Sequence, residues 1–371
     1  MVVKKRPLIR LREGALDILR QFNPVGRAFS LFLLLPALAL PLKAQSATNE
    51  EVDTALRHAV EAIKVQPHVD AEYDYLMTAR VRLLFFWASK DDVGGGYIRR
   101  GTSPSDAQSQ VLQLLMGSDP AKAPRTINRW GAGTEVAHRS ALGEHAVESS
   151  TFFGFMKVSK GSSASEMQKE IAQEKQGGAY LFSAIVNESN TRSSVAKVVP
   201  FSSDQDYTIH QMDEAEKVAF QKLTDMSGRV RTVDKAEFDS CGKAGGFLSS
   251  LSDLIDVALQ GAKTPAAVCY TFNGELFTLS LTSASKVTRT AVQLTLKGEA
   301  KKYERAYDNL VLAHFTTFNH GTKKESDFDL LLGSEGNLRG VPVQIRYQPN
   351  WWFQVVLNLK TPPPPGAAKA P

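Results

Sequence analysis

Between Val341 and Leu359 the chain alternates apolar and polar residues with a period of two, and a turn interrupts that alternation once. Val341, Val343, Ile345 and Tyr347 alternate with Gln344 and Arg346. Gln348-Pro349-Asn350 then turns the chain, and Trp351, Phe353, Val355, Leu357 and Leu359 return on one face. Successive side chains of a strand point to opposite faces, so this pattern dictates a half-buried antiparallel hairpin and excludes a helix. Two strands cannot bury an apolar face alone, so more strands must pack beside them.

The sequence upstream supplies them. Phe328, Leu330 and Leu332 alternate with Asp327 and Asp329 before the loop Gly333–Gly340, and Leu310–Phe318 and Val292–Leu296 read as strands. Val268–Phe272 runs into Asn273-Gly274, a dipeptide suited to a tight hairpin turn, and Glu275–Leu281 returns. Residues 266–360 therefore read as an antiparallel β meander or barrel, followed by a disordered Pro/Ala-rich tail over 361–371.

A second strand-rich region covers 71–225. Leu76–Trp87 reads as a strand that is half exposed and then wholly apolar, Asp91-Asp92-Val93-Gly94-Gly95-Gly96 as a turn, and Tyr97-Ile98-Arg99 as the return. Val111–Met116, Val136–His138, Phe152–Val158, Tyr180–Asn187 and Ser194–Pro200 are further strand candidates. Helices punctuate this pattern: Asn49–Gln66 within an N-terminal helical segment at 45–70, a capping box at Ser163 and Glu166, Met212–Leu223, and Phe247–Gln260 within a linker-and-helix segment at 226–265. In the last of these, Phe247, Leu248, Leu251, Leu254, Ile255, Ala258 and Leu259 form a continuous apolar stripe. Its polar positions carry Asp253, Asp256 and serines, which favours packing against the protein's own sheet over a lipid surface. The expected fold is mainly β with accessory helices (α+β), an antiparallel barrel-like or open curved sheet in two β modules.

Residues 1–44 read as an export signal: a cationic start, the uncharged run Ala28–Leu42, and a small residue at Ala44. Pro36 and Pro41 break the run and make it short for a permanent span. The expected address is the periplasm or exterior of a bacterium, with membrane contact transient or through an uncleaved signal. The segment also carries the chain's basicity. Residues 1–44 hold eight of the 44 Lys/Arg and two of the 39 Asp/Glu, so the remainder has 36 basic against 37 acidic residues. A nearly neutral chain without a basic stripe gives no electrostatic basis for nucleic-acid binding. Cys241 and Cys269 are the two cysteines, and an oxidising compartment favours one disulfide between them.

Motif searches for chemistry are negative: there is no G-x-S-x-G, no G-x-x-x-x-G-K-[ST], no H-E-x-x-H and no C-x-x-C. His138 with His145, or His314 with His320, offer pairs of metal ligands, but pairs at such spacing are weak signals, and neither a metal nor another cofactor is expected. One polar constellation stands out: Asp91, Asp92, Arg99, Arg100, Arg125, Arg129 and Trp130. Arginine beside tryptophan can recognise a carboxylate, phosphate or sugar edge by bidentate hydrogen bonds and stacking.

Two stretches carry resemblances. DLLLGSEGNLRGVPVQIRYQPNWWFQVVL, from Asp329 to Leu357, resembles the closing strands of uncharacterised exported bacterial β-barrel families. YLMTARVRLLFFWASKDDVGGGYIRRG from Tyr75, with MGSDPAKAPRTINRW from Met116, is similar to an exported bacterial family of unknown function. These resemblances imply a secreted β-rich fold and transfer no catalytic residue. The expected role is a non-catalytic envelope protein binding an apolar or amphipathic molecule such as a lipid. An assembly partner for another envelope protein and a hydrolase with an unmarked site are the alternatives.

Overall fold

The computed structural model describes residues 67–83, 86–104, 106–119, 121–123, 129–139, 145–156, 179–187, 193–201, 229–232, 244–261, 266–272, 275–296 and 303–361. The export signal, the helices expected at Asn49–Gln66, after Ser163 and at Met212–Leu223, and the Pro/Ala-rich tail lie outside them.

Fifteen strands form the described framework. In the first half of the chain these are β1 (His68–Leu83), β2 (Phe86–Ser103), β3 (Asp106–Ser118), β4 (Arg129–Arg139), β5 (His145–Met156), β6 (Ala179–Asn187), β7 (Ser193–Phe201) and β8 (Arg229–Thr232). The second half contributes β9 (Ala244–Gly245), the helix α1 (Phe247–Leu259), β10 (Ala266–Phe272), β11 (Glu275–Leu294), β12 (Tyr303–Asn319), β13 (Glu325–Gly333), β14 (Pro342–Asn350) and β15 (Phe353–Thr361). All fifteen belong to one sheet, ordered β8-β7-β6-β5-β4-β3-β2-β1-β15-β14-β13-β12-β11-β10-β9. Neighbours are antiparallel except β9 and β10, which run parallel. The two expected β modules thus share a single sheet, because β1 pairs with β15 from Asp74↔Thr361 to Val81↔Phe353.

The final hairpin forms where expected but turns later: β14 continues through Gln348-Pro349-Asn350, and Trp351-Trp352 make the turn, so Trp351 is exposed rather than on the return face. Phe353, Val355, Leu357 and Leu359 are buried on one face, opposite Ile345 and Tyr347 of β14. Other expectations need correction. The apolar run ending at Trp87 is not one strand: β1 stops at Leu83 and β2 starts at Phe86, which pairs back with Leu83 in a long hairpin. Asp91–Gly96 is not a turn but lies inside β2. Glycine is needed there for close approach rather than for bending, since a Cβ on Gly94 or Gly96 would meet the carbonyl oxygen of Gly117 or Leu115 on β3 at 2.1 Å. Asp92, at φ 52, and a register shift between Met77 and Ala79 take up the irregularity. β1 also begins at His68, within the stretch assigned to the N-terminal helical segment.

Val292–Leu296 is likewise not a separate strand. β11 runs 20 residues from Glu275, with a register shift between Leu281 and Ser283 opposite β12. Its outer half carries no strand signal in the sequence because Ser283–Ala291 lacks alternation and is largely exposed. This half, with the start of β12, reaches back to β15 and β2 in the middle of the sheet order. The Tyr307 hydroxyl donates to the carbonyl of Leu359 at 3.0 Å, and the backbone N–H of Thr295 donates to Asp91 at 2.9 Å.

The sheet curls. α1 packs on β10, β11 and β12 and also touches β3 and β4, while β9 lies against β5 and β10 against β6. The two halves of the sheet order therefore face each other with α1 between them, a barrel-like arrangement with a helix inside. Phe277, Phe315, Leu279 and Leu254 anchor the continuous apolar core there, all at 1 % exposure or less.

Candidate functional site

α1 brings a helix N-terminus into the protein interior, where its free backbone N–H groups need acceptors. Its N-cap position is Gly246, which has no side chain to offer. The acceptor comes from far away in sequence: Glu135 of β4, fully buried, accepts from the N–H groups of Leu248 and Ser249, each at 2.8 Å. A carboxylate also suits the positive end of the helix dipole. A Cβ on Gly246 would come within 2.4 Å of the carboxyl carbon, so a larger residue there would displace the Glu135 carboxylate. At the other end of α1, Ile255 and Leu259 lie against Gly340 in the β13–β14 connection. The Phe247 ring packs on Tyr270 at 5.3 Å and on Phe328 at 6.4 Å between centroids.

Between α1 and the sheet lies a cavity of about 160 Å³. Its walls are mainly apolar: Leu112, Leu114 and Met116 of β3, Leu251 and Ile255 of α1, Tyr270 and Phe272 of β10, and Phe328, Leu330, Ile345 and Tyr347 of β13 and β14. Its polar contributors include Arg99 and Arg100 of β2, with Gln113, Ser252, Thr317 and Ser326. Arg99 is held by an ion pair to Glu72 at 2.8 Å and lies 3.7 Å from the centre of the Tyr97 ring. Arg100 reaches the carbonyl of Gly340 at 3.4 Å and has no carboxylate partner among the described residues.

The constellation read from the sequence is therefore divided. Arg99 and Arg100 line the cavity; Asp91 and Asp92 do not. Asp91 accepts from Thr78 at 3.0 Å and from the Thr295 N–H, tying β1, β2 and the end of β11 together. Asp92, itself buried, pairs with Lys122 at 2.9 Å. Both are structural ties. Arg125 lies outside the described residues, and Arg129 and Trp130 are described only as backbone of β4. Sequence reasoning missed Glu135 and the apolar lining of β3, since nothing local links β4 to a helix more than a hundred residues later.

The histidines are not gathered into one site. His138 and His145 lie in the β4–β5 register opposite Ala146 and Arg139. His320 bonds Thr278 at 2.8 Å, and His314 Nδ1 lies 2.5 Å from Asp329, with Ser283 opposite in register. His314 and Asp329 alternate with Phe315 and Phe328, which face α1, so this pair is on the outer face of the sheet and away from the cavity. Among the described residues no group of three or more His, Cys, Asp or Glu is placed to hold a metal ion. Cys269 lies on β10, and Cys241 falls outside the described residues.

Burial pushes the hydroxyls of Tyr75, Tyr270, Tyr307 and Tyr347 above the ordinary tyrosine pKa. Each is thus more readily ionised in the unfolded chain than in the fold. The stability they support is complete below about pH 10 and falls as pH rises above it, because there the unfolded state has released protons that the native state retains. In an alkaline titration, tyrosinate absorbance at 295 nm should lag behind that of free tyrosine for these four residues and rise abruptly with unfolding. A smooth titration of every tyrosine near pH 10 in the folded protein would contradict this placement.

With the fold in view, no family model matches the chain, and no curated protein matches it. Among solved structures, a beta-barrel-like protein of a domain of unknown function from Brucella abortus is similar at a TM-score of 0.37 and 10 % identity, over 78 % of this chain and 95 % of that one.

Proposed function

We propose that this protein is a non-catalytic, exported binder of a small apolar or amphipathic molecule, held between α1 and the curled sheet. The supporting observation is the apolar cavity with Arg100 at its wall. A ligand's hydrocarbon part would lie against Leu114, Leu251, Ile255 and Ile345, and an acidic head would meet the Arg100 guanidinium, a donor suited to carboxylate or phosphate. A cavity on the order of 150 Å³ takes a benzene-sized group. A longer chain therefore needs α1 to shift, and the Glu135 tether limits that shift. The N-terminal signal supports a bacterial envelope address, where such molecules are available. The same compartment supports pairing of Cys241 with Cys269, and the β9–β10 register helps by setting Ala244 opposite Cys269, three residues from Cys241.

The test is native mass spectrometry of the protein purified without detergent from its own exported fraction, followed by solvent extraction. A reproducible extractable lipid or small molecule is expected, and the denatured mass reads whether the two cysteines have lost two protons. Leu251→Trp, which fills the cavity, should abolish retention of that molecule at a stability cost of about 1–3 kcal/mol. An apo mass for the wild-type protein, or unchanged retention in Leu251→Trp, would sink the reading.

A further inference from the structure

Five large hydrophobic side chains are exposed among the described residues: Val69, Leu83, Phe86, Trp87 and Trp351. Four of them meet at one corner. Leu83, Phe86 and Trp87 surround the tip of the β1–β2 hairpin, and Trp351, 67 % exposed, occupies the β14–β15 turn beside it. The two tips are bound to each other: the N–H of Arg82 donates to the carbonyl of Trp352 at 2.7 Å, and Arg80 donates to the Gln354 side chain at 3.2 Å. Trp352 is half-buried and packs on Phe353, which fixes the turn that carries Trp351. Soluble proteins scatter exposed apolar residues singly, so a cluster of this composition on a rigid projection marks a contact surface.

Charge selects the partner. Residues 79–90 carry Arg80, Arg82 and Lys90 and no Asp or Glu, and residues 348–354 carry no charge. Arg346 lies near Arg80 on the same side, while the adjacent carboxylate Asp91 is already bonded to Thr78 and the Thr295 N–H. Tryptophan and phenylalanine at a tip with cations directly behind them match the layers of a bilayer surface. Aromatic rings sit at headgroup depth and cations meet anionic phosphates. We propose that the paired β1–β2 and β14–β15 tips dock the protein on an anionic lipid bilayer. This surface is separate from the cavity: Trp87 and Arg100 are roughly 40 Å apart along the extended path of β2.

The test uses the full chain with phosphatidylcholine vesicles, with and without phosphatidylglycerol. The N-terminal apolar run is common to every variant, and three of the four tryptophans, Trp87, Trp351 and Trp352, lie at the tips. The deciding readout is therefore tryptophan emission and its quenching by lipids brominated along the acyl chain, taken in a Trp130→Phe background that stands as wild type. Wild-type protein should show blue-shifted, quenched emission on the anionic vesicles. Phe86→Ser combined with Trp351→Ser should remove most of the quenching, and Arg82→Glu with Lys90→Glu should weaken partitioning at least tenfold, since each cation near an anionic surface contributes about fivefold. Both variants alter exposed positions and should retain wild-type unfolding and cavity binding, so failure of the cavity reading and failure of this one are distinguishable. Absence of quenching in the wild-type protein, or equal quenching in Phe86→Ser/Trp351→Ser, overturns the proposal. So does loss of a soluble protein partner on the same substitutions without any vesicle effect.

Discussion

Glu135→Ala is expected to lower folding stability by about 3 kcal/mol, a large loss for a side chain that lies in none of the apolar clusters. The residue is fully buried, and its carboxylate accepts the N–H groups of Leu248 and Ser249 at the start of α1. Removing it leaves buried donors without that charged acceptor, and hydrogen bonds to charged groups contribute about 1.5–3 kcal/mol each, less than additively. It also removes the only side-chain tether described between β4 and α1, so the two sheet halves that α1 bridges should loosen together. Glu135→Gln keeps one amide oxygen to accept but loses the charge that faces the helix dipole, and should fall between the two. Urea unfolding followed by far-ultraviolet circular dichroism reads both. If Glu135→Ala unfolds within 0.5 kcal/mol of wild type, the carboxylate does not hold the helix. The same variant should bind an apolar fluorescent probe more readily, because α1 forms one wall of the cavity.

The sequence disclosed the strands whose two faces meet different surroundings. Phe353 to Leu359 and Val341 to Tyr347 alternate because one face meets the large apolar core, while the other, though also buried, holds the Gln344–Asn358 hydrogen bond and on β15 is apolar only at Val356. The stripe of α1 was legible for the same reason, and Leu254, Ile255 and Ala258 are its buried line. Periodicity fails where both faces have the same environment. Ser283–Ala291 is largely exposed, with Ala284 and Val287 touching the core out of alternation, so β11 read as two strands, and Leu84 to Trp87 read as buried although Phe86 and Trp87 project from the sheet. Gly94–Gly96 read as a turn because glycine signals both bending and close backbone approach, and only the presence of β3 decides between them. The candidate site was legible in its arginines and illegible in its geometry. Arg99 and Arg100 were marked by composition, yet their cavity is assembled by the β1–β15 pairing, which joins the two ends of the described chain and leaves no local trace.

Phe277→Ala is expected to cost about 4 kcal/mol and to be partly repaired by a small aromatic ligand. Phe277 is 1 % exposed and central to the core. Its ring stacks on Tyr270 at 5.1 Å between centroids and meets Phe272 edge-on at 6.1 Å. Truncating a buried phenylalanine costs about 3–5 kcal/mol through lost transfer energy and the void left behind, and the lost ring pairs fall within that range. Tyr270 and Phe272 also line the cavity, so the void created by the substitution opens next to existing apolar space rather than in isolation. A small aromatic solute should then bind the enlarged space and stabilise the variant by about 2.7 kcal/mol at a hundred times its dissociation constant. The measurement is a pair of thermal unfolding curves for wild type and Phe277→Ala, each with and without benzene. A larger shift in the variant than in wild type would show that the new void opens into the native cavity beneath β10. Equal shifts in both proteins would place the solute in the native cavity alone. No shift in either would mean that the space collapses or admits water, and a reading built on apolar ligands would lose its physical basis.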